Sequence, residues 1–167
     1  SLGATEVTFA EWDACVADGG CDYRPADQGW GRGTRPVINV SWHDALAYCA
    51  WLKQQTGQAY RLATEAEWER AARSTDGRIY PWGADFDAWR CNTAENNRRD
   101  TSPLHMYVPG GVSADGVQDM AGNVYEWTAS LLRPYPYVAG DGREELQADG
   151  KRVVRGGSWY YSRKLAR

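Results

Sequence analysis

From Ser74 to Asp119 the sequence follows neither a helical nor a strand period, and this gap limits the fold more than any other feature. A segment that long without regular structure is uncommon in a compact domain, because its backbone donors and acceptors find no partners locally. Something else must organise it, such as a bound metal. Residues 133–151 are a second excursion, rich in Pro, Gly and acids, and residues 22–36 are also without periodicity. Eighteen Gly and seven Pro fit a chain built largely of turns and loops. A length of 167 residues suits one domain with a real core.

Regular structure is expected only between these stretches. Thr8 stands three residues before Glu11, the spacing of a capping box, and predicts a helix to about Ala17 that stops at Asp18-Gly19-Gly20. Ser41 and Asp44 repeat the pattern ahead of the strongest helix, Trp42 to about Thr56, which Gly57 ends. In that helix Ala45, Leu46, Cys49 and Leu52 recur at three and four, marking a buried face. Thr64 and Glu67 announce a third helix, Glu65 to Arg73, with acids at its start and Arg70 and Arg73 at its end. Short strands are expected at Val37–Val40, Tyr60–Leu62 and Val124–Thr128. A last one starts at Arg152 and runs into the glycine bend before Trp159. The class is α+β, with two main helices, short strands and long loops.

Nine Trp and ten Tyr, against two Phe and two Met, favour half-wet surfaces and pockets. Most of these aromatics lie among the predicted elements and read as packing. Tyr160 and Tyr161, just past the Gly156-Gly157 bend, are the exceptions. A net charge of -3 with no basic block argues against nucleic acid, and no run of 18 apolar residues could span a membrane. Arg61, Arg73, Arg152 and Arg155 read as surface partners of Glu65, Glu67 and Glu69, with core-edge hydrogen bonds from Arg155. Cys15 and Cys21 bracket a short flexible loop. A disulfide there is geometrically easy and would suit an extracytoplasmic compartment, with two free thiols as the alternative. Cys49 reads as a small buried hydrophobe.

Six motifs then follow in order. They are Thr5-Glu6-Val7-Thr8, Pro36-Val37-Ile38-Asn39-Val40-Ser41-Trp42-His43-Asp44-Ala45, Arg61 to Glu69, Tyr80-Pro81-Trp82-Gly83, Asp119 to Trp127, and Arg155-Gly156-Gly157-Ser158-Trp159. Together they resemble the formylglycine-generating enzyme (sulfatase-modifying factor) family. The resemblance covers nearly the whole chain and implies a C-type-lectin-like fold with little regular structure. It also implies a single domain over residues 1–167 that lacks the family's N-terminal strands and its last strand, so that a second chain or segment would complete the sheet.

Family oxidases turn a substrate cysteine into formylglycine with oxygen and a copper(I) ion held by two thiolates spaced C-x4-C. The matching positions here are Tyr161 and Ala166, so no copper is expected. The iron-dependent branch takes its ligands from another domain, and His43 and His105 are too few for a facial triad. Structural calcium is the cofactor the resemblance implies. One ion would take the Asp119 side chain, the Gly122 and Val124 carbonyls and the Glu126 carboxylate. A second would take Asn92, the Thr93 carbonyl and a later acid, whose place falls near the neutral Asn96 with Arg98 and Arg99 beside it.

The function implied is a non-catalytic module that binds a protein or small molecule at Trp159, Tyr160, Tyr161, Ser162 and Lys164. One branch of this fold displays variable residues there, and Tyr and Ser suit an adaptable face. The alternatives are a divergent oxidoreductase with catalytic residues elsewhere, and an accessory domain of a signalling or protease assembly.

Overall fold

The computed structural model describes residues 2–167. Helices α1 (Phe9–Ala17), α2 (Trp42–Thr56) and α3 (Glu65–Arg73) supply most of the regular structure. The sheet is one antiparallel pair, β1 (Glu126–Leu131) and β2 (Arg152–Arg155), in the register Glu126↔Arg155, Trp127↔Val154 and Leu131↔Arg152. Short 3₁₀ turns lie at Ala88–Arg90, Ala94–Asn96 and Arg163–Leu165. The remainder is loop.

Each helix begins at its expected residue because the cap is a local interaction. At α1 the Glu11 amide donates to Thr8 Oγ1 at 3.2 Å, while Glu11 Oε2 accepts the Thr8 amide at 2.7 Å. Ser41 with Asp44 and Thr64 with Glu67 reproduce both bonds at α2 and α3. Two amides that the helix itself would leave unpaired are satisfied at every start. Gly57 ends α2 in the left-handed region, φ 71°.

Several expectations need correction. Among the described residues the three expected helices form, α1 and α3 with nine residues each and α2 with fifteen. The buried face of α2 is centred on Trp42 and Tyr48, whereas Ala45, Leu46, Cys49 and Leu52 are only half-buried. Bulk explains the rotation: Tyr48 stacks on Trp12 with ring centroids 5.5 Å apart, and a larger ring removes more surface from water than Ala or Cys. No strand forms at Val37–Val40 or Tyr60–Leu62. Near the first, among the described residues, Thr8 and Pro36 form an isolated bridge closed by the Val37 amide to Val7 O and the Phe9 amide to Arg35 O, and the ladder stops there because α1 begins at Phe9. β1 starts two residues later than Val124 and runs on to Leu131. Its outer edge is covered, since the Ala129 amide donates to Ala63 O and the Leu131 amide to Arg143 O, both at 2.7 Å.

A disulfide joins Cys15 to Cys21, and both sulfurs sit in the cluster of Trp12 and Tyr48 between α1 and α2. A second cluster packs Trp68, Ala71 and Ala72 of α3 on Val117 and Met120. A third joins Cys91, Ala121 and Ala166, with Trp82 and Phe86 against it. The expected arginine pairs form: Arg61 with Glu67 at 2.7 Å, Arg73 with Glu69 at 2.6 Å, and Arg155 with both Glu65 and Glu69 at 3.1 Å. Arg152 differs from its expectation. It donates to the carbonyls of Ala129, Glu145, Leu146 and Ala148 and stacks on Trp42, and among the described residues no acid lies within reach of its guanidinium.

The Arg61 guanidinium, with help from the Thr64 cap, holds the Glu67 carboxyl down to about 2 from an ordinary 4.5. A carboxylate whose pKa is lowered by folding adds stability that is complete above its unfolded pKa and is lost as pH falls through the folded value. Melting temperature should therefore decline between about pH 4.5 and pH 2 more steeply in the native protein than in Glu67→Gln. Both side chains are about half exposed, so the difference is small. Identical acid limbs for the two proteins would contradict this assignment.

Candidate functional site

The residues singled out by sequence form two adjoining structures, a buried polar turn at 119–126 and an aromatic face at the C-terminal end. Asn123 links them. Its side chain is fully buried, and its backbone adopts the left-handed conformation with φ 58°. Asn123 Oδ1 accepts from the Ser102 amide at 2.8 Å, from Ser102 Oγ at 3.1 Å and from Asn92 Nδ2 at 3.2 Å. Asn123 Nδ2 donates to Glu6 Oε2 at 2.7 Å and to Ser102 O at 3.3 Å. Its amide donates to Asn92 O at 2.7 Å, and its carbonyl accepts the Trp159 amide at 3.0 Å. One residue thus joins the N-terminal segment, the long aperiodic stretch, the turn and the C-terminal hook. Gly122 is required beside it, since a Cβ there would overlap the Asn92 carbonyl.

Three carboxylates lie around this turn. Burial, then the charges of Asp119 and Glu126, push Glu6 well above the ordinary range. Burial raises Asp119 to about 6, partly offset by His105. Burial raises Glu126 to about 7, against the Trp68 indole N–H that donates to Glu126 Oε2 at 3.1 Å, with the Asp119 charge adding to the rise. Among the described residues, no ion pair reaches any of the three. Glu6 Oε1 is buried without a hydrogen-bond partner.

Buried carboxyl groups with no counter-charge and an orphaned oxygen fit a hard cation, which would favour their ionised form. Among the described residues, no three His, Cys, Asp or Glu side chains converge closely enough to cage an ion alone. The Gly122 and Val124 carbonyls would have to complete the set with Asp119 and Glu126. The Val124 carbonyl oxygen and Glu126 Oε1 do converge, lying 3.5 and 3.7 Å from the Cβ position of Gly156.

The Asn92–Thr93 region is different. Asn92 Oδ1 and Thr93 Oγ1 are buried and unpartnered, but the Thr93 carbonyl already accepts the Asn96 amide. Asn96 Nδ2 donates to Ala88 O at 3.0 Å. The neighbouring acid, Asp100, is held by Arg98 at 2.7 Å and Arg35 at 3.3 Å. Arg98 and Arg35 thus bring positive charge beside the unpartnered Asn92 and Thr93 oxygens.

The aromatic face is a chain of ring contacts. Trp30 meets Trp159 at 5.1 Å, Trp159 meets Tyr160 at 5.5 Å, Tyr160 meets Tyr161 at 5.3 Å, and Tyr161 meets Tyr125 at 5.7 Å. Edge-to-face and tilted geometries dominate, as ring quadrupoles prefer. Tyr160 is 66% exposed, Tyr161 43% and Tyr125 37%. Ser162 and Lys164 are also exposed, while Trp159 is half-buried. The hook that carries them is pinned: the Ala94 amide donates to Tyr161 O at 3.0 Å, and the Glu95 carboxylate accepts the Arg163 amide at 3.0 Å. Gly157 allows the bend, since a Cβ would stand 2.8 Å from Leu165 O. Ala166 is buried against Cys91 and Ala121.

Sequence reasoning missed Trp30 and Glu6. Trp30 stands in a glycine-rich loop with no period to orient it, and an isolated large ring in such a loop was its only signal. Glu6 sits beside a cap in an extended segment where an acid ordinarily faces water.

Asn123→Ala should cost at least about 3 kcal/mol, because it strands Glu6, Ser102 and Asn92 together in a buried network. Ser102→Ala, which removes one hydroxyl donor, should cost about 1 kcal/mol. Denaturant unfolding measures both, and a near-neutral Asn123→Ala would contradict the hub.

Residues 1–167 match the family described as the Sulfatase-modifying factor enzyme 1-like domain, FGE-sulfatase. The formylglycine-generating enzyme of Streptomyces coelicolor is 39% identical over 146 residues, covering 77% of this chain and 43% of that protein. The inactive C-alpha-formylglycine-generating enzyme 2 of Bos taurus is 40% identical over 135 residues, covering 74% of this chain and 38% of that protein. The chain thus spans less than half the length of these curated relatives. Among solved structures, Treponema denticola variable protein 1 superposes with a TM-score of 0.73 at 26% identity, over 98% of this chain and 74% of that one. The chain belongs to the sulfatase-modifying factor family, and its α+β fold is the C-type-lectin-like fold of the formylglycine-generating enzymes.

Proposed function

We propose that this chain is a non-catalytic binding module on the formylglycine-generating-enzyme scaffold, and that the ring chain ending in Tyr160, Tyr161 and Tyr125 is its ligand face. The observation that carries this reading is the replacement of the two thiolate positions. Tyr161 presents an exposed phenol within the ring chain, and Ala166 is sealed in the core with no ligating atom. Neither residue can hold copper(I), which selects soft thiolates. Cys91 does not substitute, because burial pushes its thiol up to about 12. A large exposed aromatic surface on a pinned hook is suited to capture, since its rings lose little entropy on binding. Likeness to an inactive relative from cattle and to a variable protein from Treponema supports the same reading.

A second reading is an oxidoreductase of the family whose catalytic residues lie outside these residues. The 39% identity to a formylglycine-generating enzyme favours it.

One experiment separates the two. Incubation of the protein with copper and a C-x-P-x-R peptide, read by mass spectrometry, should give no aldehyde; formylglycine in the product would establish the second reading. A phage-displayed peptide library should in turn select binders that are lost on Tyr160→Ala with Tyr161→Ala while melting temperature is retained. Loss of folding in that double variant would show the rings to be core packing and remove the ligand face.

We further propose that the turn of Asp119, Gly122, Val124 and Glu126 holds a structural calcium ion. Bound calcium would neutralise the buried carboxylates and draw the two carbonyls inward. At 100 times its dissociation constant, a ligand bound only to the native state adds about 2.7 kcal/mol. Excess chelator should lower the melting temperature by several degrees, and Glu126→Gln should abolish that response. A melting temperature indifferent to chelator and to added calcium would rule the ion out.

A further inference from the structure

A cleft of about 610 Å³ lies beside the start of α2, and it shares no residue with the ring chain or the 119–126 turn ligands. Its volume falls within the range of about 300–1,000 Å³ typical of small-molecule sites. Trp42 and Trp127 form its inner wall. Each indole N–H is already committed, Trp42 Nε1 to Thr128 O at 2.9 Å and Trp127 Nε1 to Val40 O at 3.0 Å. Both rings are therefore held in place; Trp42 is buried beneath Arg152, and the half-buried Trp127 offers carbon surface.

The outer wall is equally fixed. The Arg152 guanidinium stacks 4.2 Å over Trp42 and donates at 2.8 to 3.0 Å to the carbonyls of Ala129, Glu145, Leu146 and Ala148. These bonds fix the loop leading into β2 beside Trp42. The cleft is thus built before any ligand arrives, which reduces the ordering cost of binding.

Four exposed polar side chains line the opening: His43, Gln147, Asp149 and Lys151. Among the described residues, none of the four makes a side-chain hydrogen bond or an ion pair within the protein. Asp149 and Lys151 carry opposite charge, and the Arg152 donors are taken up by carbonyls, so the opening has no strong field for an ion. What it offers is a mixture of donors and acceptors above a carbon wall. Lys151 donates, Asp149 accepts, and Gln147 and His43 do both. Hydroxyl groups also donate and accept, and the axial C–H groups of a sugar ring match an indole surface.

We propose that this cleft binds a neutral pyranoside, with one C–H face of the sugar against Trp127 and its hydroxyls shared among His43, Gln147, Asp149 and Lys151. The proposal does not depend on the ring chain and is tested separately from it. Saturation-transfer NMR of the protein with the methyl pyranosides of glucose, galactose and mannose should transfer magnetisation to the ring protons of at least one. Gln147→Ala, Asp149→Ala and Lys151→Ala combined should weaken that binding at least about tenfold. All three positions are exposed, so melting temperature should be unchanged. Tyr160→Ala with Tyr161→Ala should leave the signal intact. No transfer to any neutral pyranoside, or transfer that survives the triple variant, overturns the proposal. A signal lost only with the tyrosines assigns the sugar to the ring chain and overturns it as well. Binding of glucuronate in place of the neutral glycosides would mean that Lys151 recognises an anion, and the proposed ligand class would be wrong.

Discussion

The buried amide of Asn123 is the interaction on which the rest of this structure depends. A domain with so little helix and sheet must satisfy its backbone groups by other means, since an unpaired buried amide or carbonyl costs more than a hydrogen bond contributes. Asn can accept and donate from one planar group, and here it does both, toward Glu6, Asn92 and Ser102. The indole N–H groups act in the same way on a smaller scale. Trp12 donates to Tyr23 O, Trp42 to Thr128 O, Trp82 to Asp85 O and Trp127 to Val40 O. This explains a composition heavy in Trp and poor in Phe. A ring that packs on one side and donates on the other can close a loop, and a phenyl ring cannot.

The hub also couples the two parts of the candidate site. Trp159, first of the hook residues, hangs from the Asn123 carbonyl, and Gly156 O accepts the Gly122 amide at 2.6 Å. Whatever steadies the 119–126 turn therefore steadies the base of the ring chain. The outward rings themselves contribute little to the core. Because they are exposed, substitutions at Tyr160 and Tyr161 should disturb the scaffold beneath them little, as is usual for loop residues over a rigid frame.

How much of this was legible depended on range. The three helix starts were readable to the residue because a capping box is complete within four positions of the chain. The Cys15–Cys21 bridge closes a loop short enough for geometry alone to suggest it. The orientation of α2 was not readable. Small residues at helical spacing pointed to Cys49, but the partner that decided the face was Trp12, far away in sequence. The residues of the turn and hook were singled out through motif resemblance. Trp30 belongs to no motif, and Glu6, though inside the Thr5–Thr8 motif, carried no sign that its carboxyl group would be buried.

The sequence by itself determined where the helices begin and end and that loops would dominate. These follow from local hydrogen bonding, backbone preference and side-chain chemistry, none of which needs a distant partner. Only the tertiary structure decided how the stretch from Ser74 to Asp119 is organised, that Glu6, Asp119 and Glu126 share one unpaired environment, and that Trp30 extends the ring chain to Tyr125. The physical reason is that each of these rests on contacts between segments tens of residues apart. Their energies come from burial and mutual satisfaction, which exist only once the segments have met.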